Sequence, residues 1–311
     1  MRICSFLPSG TEILFALGLG DEIVGVSHEC DYPPAALQKS RVIRPTLDVE
    51  RLDSHGIDAA VRGALARRES LYAVDPEALS RAQPDLIVTQ ALCEVCAIGS
   101  PEVTEAARLL PSRPRIVSLH PHTLRELWEE IRLLGHVTNH NAQAGQLVSS
   151  CVGRLERVQA LLQDVLRPRV FCLEWLAPPM ASGHWVPEMV ELAAGVEVLG
   201  RAGAASRYVT PEEIIAARPE VLVVMPCGFS VERTRRELPA VTAEPWWDAI
   251  PAVRQGCVFL VDGPAYFNRS GPRLVDGVEL LAGLLHPDRC ASLIPEGAVE
   301  RWAPDPSRRP L

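Results

Sequence analysis

Short apolar runs and longer amphipathic segments alternate along this chain of 311 residues. The apolar runs are rich in Val, Ile and Leu, which is typical of strands that are buried on both faces of a sheet. The segments between them repeat their apolar positions at steps of three and four, as amphipathic helices do. The alternation therefore predicts an α/β fold with a parallel sheet in each half of the chain. The predicted strands are residues 2–6, 23–26, 86–88, 115–119, 169–173, 196–199, 221–223 and 257–261.

One stretch of the first half returns in the second half with the same plan. Residues 75–88 and 210–223 each begin with a residue that caps helices, Asp75 or Thr210, followed by proline, glutamate and a short helical pattern. A second proline then precedes an apolar run in each copy. Each copy predicts a helix that leads into a buried strand. The duplication predicts two Rossmann-like lobes with parallel sheets.

A single long helix is predicted to join these lobes. Its apolar positions recur at steps of four and three, and polar residues occupy its other faces. These apolar positions are Leu147, Cys151, Leu155, Val158, Leu162 and Val165. A helix over residues 139–166 would be about 40 Å long, which favours a connector between lobes. We therefore assign residues 1–138 to an N-terminal lobe, 139–167 to the connecting helix, 168–290 to a C-terminal lobe and 291–311 to a tail.

Composition narrows the classes of partner. The formal net charge is −8 and no stripe of Lys and Arg with interleaved aromatic residues occurs, so a nucleic-acid partner is not expected. No apolar run is long enough to cross a bilayer, and the first residues lack the pattern of a signal peptide. The nine cysteines lack dense spacing, which favours free thiols or metal ligands in a reducing compartment. We expect a cytoplasmic protein without membrane insertion, or a periplasmic one if a leader was removed.

Several short motifs, in their order along the chain, resemble those of one family. They are Gly25-Val26-Ser27 with Asp31-Tyr32-Pro33-Pro34, then Pro178-Pro179-Met180-Ala181-Ser182-Gly183, then Arg269-Ser270-Gly271-Pro272-Arg273. Together with the two Pro-Glu helices, these motifs resemble the cobalamin-binding members of the class III periplasmic binding proteins. That family captures cobalamin, haem and iron chelates for import.

The resemblance implies a fold, a ligand position and a partner. Two α/β lobes joined by one long helix would hold a small molecule in the inter-lobe cleft, and an ABC-transporter permease would receive it. Glu77 and Glu212, at the same position of the repeat, would dock onto that permease. Cobalamin binders of this family place a tryptophan just after a strand of the first lobe, where this chain has Gln90. The resemblance also implies ligand contacts in the second lobe at Tyr266, Phe267 and Arg269.

Cysteine and histidine side chains occur in the loops that follow the predicted strands. The carboxyl ends of parallel strands converge on one crevice, so we expect these loops to form the ligand site. Thiolates and imidazoles suit zinc, copper, an iron–sulfur cluster or the metal of a bound complex. The candidate metal ligands are Cys30, Cys93, Cys96 and Cys227. The candidate ligand contacts are His28, Glu29, Gln90, Glu174, Trp175, His184, Trp185, Tyr266, Phe267 and Arg269.

Each of these candidates also has an ordinary structural explanation. A lone Cys-x-x-Cys pair is compatible with buried structural cysteines, and histidines in loops are commonly plain polar residues. Trp175 and Trp185 fit either a stack on a planar ligand or the apolar interior of a lobe. Glu77 and Glu212 both follow a proline at a helix start, where a carboxylate favours the positive end of the helix dipole.

We therefore predict a ligand-binding protein of the ABC-transporter substrate-binding type, and not an enzyme. Its ligand is predicted to be a metal-containing small molecule, either corrinoid-like or another metal complex. A metal ion, an iron–sulfur cluster and a corrinoid stay open as the bound group. The alternative is a cytosolic metalloprotein or thiol redox enzyme that uses Cys93 and Cys96 on the same scaffold.

Overall fold

The chain forms two compact α/β units. The computed structural model describes residues 1–90, 100–108 and 110–303. The first unit contains Met1–Pro121 and Arg125–Ser150, and the second contains His122–Leu124 and the described part of Cys151–Leu311. The boundary between Ser150 and Cys151 falls inside a helix.

The first unit is built on a six-stranded sheet in the order β4-β3-β2-β1-β5-β6. Its strands are β1 (Ile3–Ser5), β2 (Ile23–Ser27), β3 (Arg41–Pro45), β4 (Tyr72–Val74), β5 (Leu86–Gln90) and β6 (Arg115–Leu119). All neighbours pair in parallel except β3 and β4. The helices up to the unit boundary are α1 (Pro8–Ala16), α2 (Ser54–Arg67), α3 (Pro76–Ala82), α4 (Ser100–Arg108), α5 (Leu124–Val137) and α6 (Asn141–Leu161). The strand order changes direction between β1 and β5, the position at which open α/β sheets bind ligands.

The core of the first unit lies between this sheet and its helices. Cys4 of β1, Val42 of β3 and Ile87 of β5 are completely buried, and Leu79 of α3 and Val103 of α4 belong to the same cluster. Burying one large aliphatic side chain contributes about 1.5–3 kcal/mol, so this layer fixes the sheet against its helices. Burial also raises the pKa of the Cys4 thiol to about 12, which agrees with a purely apolar role for this cysteine.

The second unit is built on a seven-stranded mixed sheet in the order β10-β8-β7-β11-β12-β13, with β9 also paired to β7. Its strands are β7 (Arg169–Trp175), β8 (Met180–Ala181), β9 (Val196–Glu197), β10 (Arg207–Tyr208), β11 (Val221–Val224), β12 (Val258–Val261) and β13 (Val299–Trp302). The strands β9, β7, β11 and β12 run parallel. The helices are α7 (Val186–Leu192), α8 (Pro211–Ala217), α9 (Val231–Glu237), α10 (Pro239–Thr242), α11 (Pro251–Arg254), α12 (Gly263–Tyr266), α13 (Leu274–Leu285) and α14 (Pro287–Cys290).

The predicted repeat is confirmed in both units. The carboxylate of Asp75 accepts a hydrogen bond from the backbone N–H three residues further on, and this bond begins α3. Thr210 begins α8 with a reciprocal capping box, in which its hydroxyl and the Glu213 carboxylate each accept a backbone N–H of the other residue. Both helices end at a residue in the left-handed region, Gln83 with φ of 42° and Arg218 with φ of 46°. The following strand is β5 in one unit and β11 in the other.

The long helix is shorter than the segment assigned to it from sequence. Helix α6 begins at Asn141 and ends at Leu161. Left-handed backbone limits it on each side, with φ of 62° at Asn139 and 57° at Asp164. The predicted spacing of its apolar positions does match burial, since Cys151 and Val158 are buried in α6.

The segment assigned to a tail contains part of the second sheet. Strand β13 pairs antiparallel with β12 along its whole length. The Trp302 ring meets the fully buried Trp247 ring edge-on at a centroid distance of 5.6 Å, and Glu300 forms a salt bridge with Arg235. These contacts hold residues 299–302 on the sheet although the surrounding sequence is rich in turn residues.

A partly buried carboxylate on α5, that of Glu130, binds the backbone of the loop that joins β6 to α5. The Glu130 carboxylate accepts a hydrogen bond of 2.5 Å from the backbone N–H of His120. Burial raises the pKa of Glu130 to about 7, and the nearby charge of Glu126 adds to the increase. The folded chain therefore binds a proton more tightly than the unfolded chain, so its stability falls as the pH rises from the ordinary glutamate pKa to about 7.

Replacing Glu130 with glutamine should remove this pH dependence. We expect the free energy of unfolding of the parent protein to decrease between about pH 5 and about pH 8 relative to that of Glu130→Gln, whose side chain stays neutral. Urea unfolding followed by circular dichroism across this range measures the difference. The neighbouring exposed Glu129→Gln is the matched control and should keep the pH profile of the parent. Parallel profiles for the parent and Glu130→Gln would contradict the assignment.

Candidate functional site

Three neighbouring strands of the second unit end beside the predicted contacts. The last residues of β7 are Glu174 and Trp175, and Cys227 lies in the loop after β11. Strand β12 is followed by α12, whose last residue is Tyr266. The loops are tied together, because the Cys227 N–H donates to the Glu174 carbonyl at 3.1 Å. The loop after β12 packs as closely, since a Cβ added to Gly263 would lie 2.5 Å from the carbonyl oxygen of the residue before Cys227. The structure thus brings these four half-buried side chains to one edge of the sheet.

The Trp175 ring rests on a second aromatic ring that the sequence analysis did not single out. Phe229 is buried, and its ring lies 5.2 Å from that of Trp175 at an angle of 54°. The Arg233 guanidinium covers Phe229 at 4.2 Å from the ring centroid. The Ser206 hydroxyl donates a 2.8 Å hydrogen bond to the Glu174 carboxylate. Neighbouring side chains therefore set the orientations of Glu174 and Trp175.

His184 is held in a backbone conformation that non-glycine residues seldom adopt. Its φ is 52°, its N–H donates to Ala204 at 2.6 Å, and its carbonyl accepts from Gly203 at 2.8 Å. The neighbouring Gly183 leaves no room for a side chain, because an added Cβ would lie 2.4 Å from the Ala204 carbonyl oxygen. The sequence from Gly183 to His184 is thus pinned to the loop at 203–206.

Two of the predicted contacts lie in the interior of the second unit. Trp185 and Phe267 are 6% and 1% exposed, and the Trp185 indole N–H donates to the Phe267 carbonyl at 2.7 Å. In this structure they support the loops around them. Arg269, two residues further on, is half-buried.

His122 packs beside His184, although nothing in the sequence around His122 suggested a site. The two imidazole rings are stacked, with centroids 5.6 Å apart and an interplanar angle of 24°. The segment carrying His122 belongs to the second unit, where the Leu124 N–H donates to the Glu188 carboxylate at 2.9 Å. Burial, together with the charge of His122, lowers the pKa of His184, so this imidazole is neutral at neutral pH.

His28 and Glu29 follow β2 in the first unit. The His28 N–H donates to the Ile43 carbonyl at 3.2 Å, and its ring lies 5.5 Å from that of Tyr72. Burial and the charge of Arg41 lower the pKa of His28. Glu29 is exposed, and its carboxylate lies 3.8 Å from the His28 ring nitrogen. Gln90 ends β5 and is half-buried.

Cys30 lies inside the first unit with its thiol in a defined hydrogen bond. It is completely buried, and the Thr11 hydroxyl donates to its sulfur at 3.1 Å. The Arg41 guanidinium donates to the carbonyls of Ser27 and Cys30 at 2.7 and 2.8 Å, which fixes the turn between them.

The predicted set of four metal-binding cysteines is divided. Cys93 and Cys96 lie outside the described residues, while Cys30 belongs to the first unit and Cys227 to the second. Within residues 1–90, 100–108 and 110–303, no group of three or more His, Cys, Asp and Glu side chains is arranged to hold a metal ion. Metal binding by the four thiols stays a prediction.

Glu77 and Glu212 both occupy the first turn of a helix and are exposed. The Glu77 carboxylate lies 3.7 Å from Arg81, one turn later in α3. The pKa of Glu212 is lowered by a hydrogen bond from its own backbone N–H and by one from Thr210. The two carboxylates thus hold equivalent positions in the two copies of the repeat.

The sequence from residue 3 to residue 265 matches the family described as Periplasmic binding protein. The chain belongs to this family. It is 26% identical to the Vitamin B12-binding protein of Vibrio cholerae serotype O1. That alignment spans 281 residues and covers 89% of this chain and 86% of that protein. It is also 26% identical over 292 residues to an uncharacterized ABC transporter substrate-binding lipoprotein of Bacillus subtilis, which covers 92% of this chain and 80% of that protein.

Solved structures with the same fold include binding proteins for two kinds of ligand. The periplasmic vitamin B12 binding protein of Vibrio cholerae superposes with a TM-score of 0.67 at 24% identity, covering 91% of this chain and 96% of that one. The apo form of a periplasmic heme-binding protein from Roseiflexus sp. RS-1 gives a TM-score of 0.69 at 20% identity, covering 92% and 98%. The predicted fold class and the family resemblance are confirmed.

Membership of this family agrees with the expectation that the chain is not an enzyme, since the named relatives are binding proteins. It does not favour the alternative of a thiol redox enzyme. Across the described residues, no helix combines the length and the apolar character needed to span a membrane.

Gly183 provides a test of how tightly the His184 loop is held. We expect Gly183→Ala to destabilise the protein by about 1–3 kcal/mol, because the new methyl group would collide with backbone atoms. Urea unfolding measures the loss, and near-ultraviolet circular dichroism reports the environment of Trp185. The control is Gly153→Ala on α6, where the nearest atom is the end of the Arg157 side chain at 3.8 Å. That control should be neutral or gain up to about 1 kcal/mol. Equal stability of the two variants would contradict the close packing.

Proposed function

We propose that this chain is the substrate-binding component of an ABC transporter and carries a small metal-containing ligand. The observation that supports this most is the gathering of Glu174, Trp175 and Cys227 at the carboxyl ends of parallel strands, where α/β sheets bind ligands. The relatives whose ligand is named bind vitamin B12 or heme, which are both metal complexes of a large ring. A receptor of this kind works outside the membrane. The location that we propose for the protein is therefore the periplasm.

The proposed contacts suit such a ligand in three ways. The Trp175 ring offers an apolar face already braced by Phe229, so stacking on it costs little side-chain entropy. The Glu174 carboxylate, oriented by Ser206, accepts hydrogen bonds from polar groups at the ligand edge. His28, Glu29 and Gln90 are the corresponding proposed contacts from the first unit, with Tyr266 and Arg269 completing those of the second.

The proposed metal donors are the thiols of Cys30, Cys93, Cys96 and Cys227. Thiolates are soft ligands that favour zinc, copper and iron over calcium or magnesium. The hydrogen bond from Thr11 fixes the position of the buried Cys30 sulfur. Elemental analysis and an absorption spectrum of protein purified without oxygen test this directly. A protein that contains no metal and shows no ligand absorption in any preparation would contradict it.

Cobalamin itself should bind weakly. Gln90 takes the position at which a tryptophan is expected in the cobalamin binders of this family, and one stacked ring contributes on the order of 1 kcal/mol beyond its burial. We therefore expect absorbance titration to give a dissociation constant for cobalamin weaker than about 1 μM. Gln90→Trp should strengthen binding, whereas Gln143→Trp, at an exposed position of α6, is the control for an added indole. Sub-micromolar binding by the parent would show that other contacts replace the missing ring.

We further propose that Glu77 and Glu212 dock onto arginines of the permease. Both are exposed and hold equivalent positions on α3 and α8, which supports a pair of like contacts on two equivalent permease subunits. The contact of Glu77 with Arg81 is a surface pair on one helix, which contributes only a few tenths of a kcal/mol and yields to a better partner.

Removing both carboxylates should abolish transport without changing ligand affinity. Glu77→Ala with Glu212→Ala is the test, and uptake by cells or proteoliposomes that contain the permease is the measurement. The matched control is Glu232→Ala, another exposed glutamate in the first turn of a helix. Normal uptake by the double variant, or a loss that follows only from lower stability, would rule out the docking role.

A further inference from the structure

We propose that the edge strands β4 and β10 couple the ligand contacts of each unit to the helix that docks onto the permease. This inference rests on the proposed function and deepens it, because it names the segments through which the permease would sense a bound ligand. Each strand lies at one end of its sheet and pairs antiparallel with its neighbour. Each also leads into a docking helix, β4 into α3 and β10 into α8. The two strands thus occupy equivalent places in the two copies of the repeat.

In the second unit, the residue before β10 holds a proposed ligand contact. The Ser206 hydroxyl donates to the Glu174 carboxylate at 2.8 Å, and this hydrogen bond is partly buried. The strand also extends the sheet outward from a second contact, because Tyr208 is paired with Met180 and Met180 with Trp175. A shift of Glu174 or Trp175 on ligand binding therefore acts on β10 through a side-chain hydrogen bond and through the sheet.

The same segment supplies the cap of α8. One oxygen of the Glu213 carboxylate accepts a hydrogen bond from the Thr210 N–H at 2.8 Å, and the other accepts one from the Arg207 guanidinium at 2.9 Å. The hydrogen bonds from Thr210 and Arg207 lower the pKa of Glu213. Arg207 follows Ser206 directly, and Glu212 adjoins Glu213 in the first turn of the helix. A short series of contacts thus connects the ligand contact with the docking carboxylate.

The first unit has the same arrangement, built from different side chains. The Tyr72 ring, at the start of β4, lies 5.5 Å from the ring of His28, a proposed ligand contact. The His28 N–H donates to the Ile43 carbonyl, and Ile43 is paired with Val74 at the end of β4. Asp75, the cap of α3, follows β4 directly. A ligand contact of this unit is therefore joined to the start of its docking helix as well.

Amide hydrogen exchange of the whole protein, without ligand, measures this coupling. Ser206→Ala should speed exchange in the first turn of α8 by about two- to tenfold, the effect expected from losing one hydrogen bond. Glu174→Ala should have the same effect alone but add nothing to Ser206→Ala, because both remove one bond. Glu244→Ala, at an exposed glutamate of the second unit, is the control and should leave exchange in α8 unchanged.

The first unit is tested in the same way. His28→Ala and Tyr72→Ala should each speed exchange in α3, because each removes the contact between the two rings. Tyr72→Phe keeps the ring and should keep the exchange rate of the parent. This conservative variant separates the ring contact from other effects of the substitution.

Binding to the permease in nanodiscs gives the functional readout. Ser206→Ala keeps Glu212 but should weaken docking by about two- to tenfold, because the helix that presents this carboxylate is less well ordered. Glu244→Ala should dock like the parent.

The inference is overturned if exchange in α8 is the same in Ser206→Ala and the parent, if the effects of Glu174→Ala and Ser206→Ala add, or if Ser206→Ala docks as tightly as the parent. Neither measurement needs a ligand, so metal analysis and the cobalamin and heme titrations assess the proposed ligand separately. A parent that does not bind the permease would end the docking proposal and this inference together. A parent that docks but takes up no metal complex would end only the proposed ligand, and the coupling would stand.

Discussion

Parallel pairing of β7, β11 and β12 is the constraint on which the site in the second unit depends. Because the three strands run in one direction, their carboxyl ends must emerge along the same edge, and the loops that follow them must share a small space. Buried backbone groups in these loops need partners, and the bond from the Cys227 N–H to the Glu174 carbonyl supplies one between neighbouring loops. The direction of the strands alone therefore places Trp175 and Cys227 at this edge, whatever their side chains prefer.

Local signals in the sequence were enough for the repeated helix and strand, and the reason is physical. The Asp75 and Thr210 caps act within one turn of their own helices, so residues three apart decide the outcome. Apolar runs likewise predicted the central strands, because burial on both faces leaves few alternatives for β5 or β11. Strand β13 was missed because its place on the sheet depends on Trp247, far away in sequence.

The histidine pair shows what periodicity cannot reveal. His122 sits in a short connection between β6 and α5, and nothing within a few residues of it distinguishes a site. Its position follows from the hydrogen bond between Leu124 and Glu188, which are separated by 64 residues. His184, in contrast, could be found from sequence because it adjoins another candidate contact, Trp185. Residues placed by distant partners require the fold to be known first.

The boundary between the units has a consequence for dissecting the protein. It falls in the middle of α6, where every backbone N–H is bonded within the helix, and residues 122–124 belong to the unit that is otherwise formed after it. Proteases cut exposed loops and spare intact helices, so mild digestion would not release two complete halves at this position. A fragment that begins at Cys151 would lack both the first half of its leading helix and the histidine that packs on His184. Genetic truncation would therefore yield an incomplete second half, and the two units are best studied in one polypeptide.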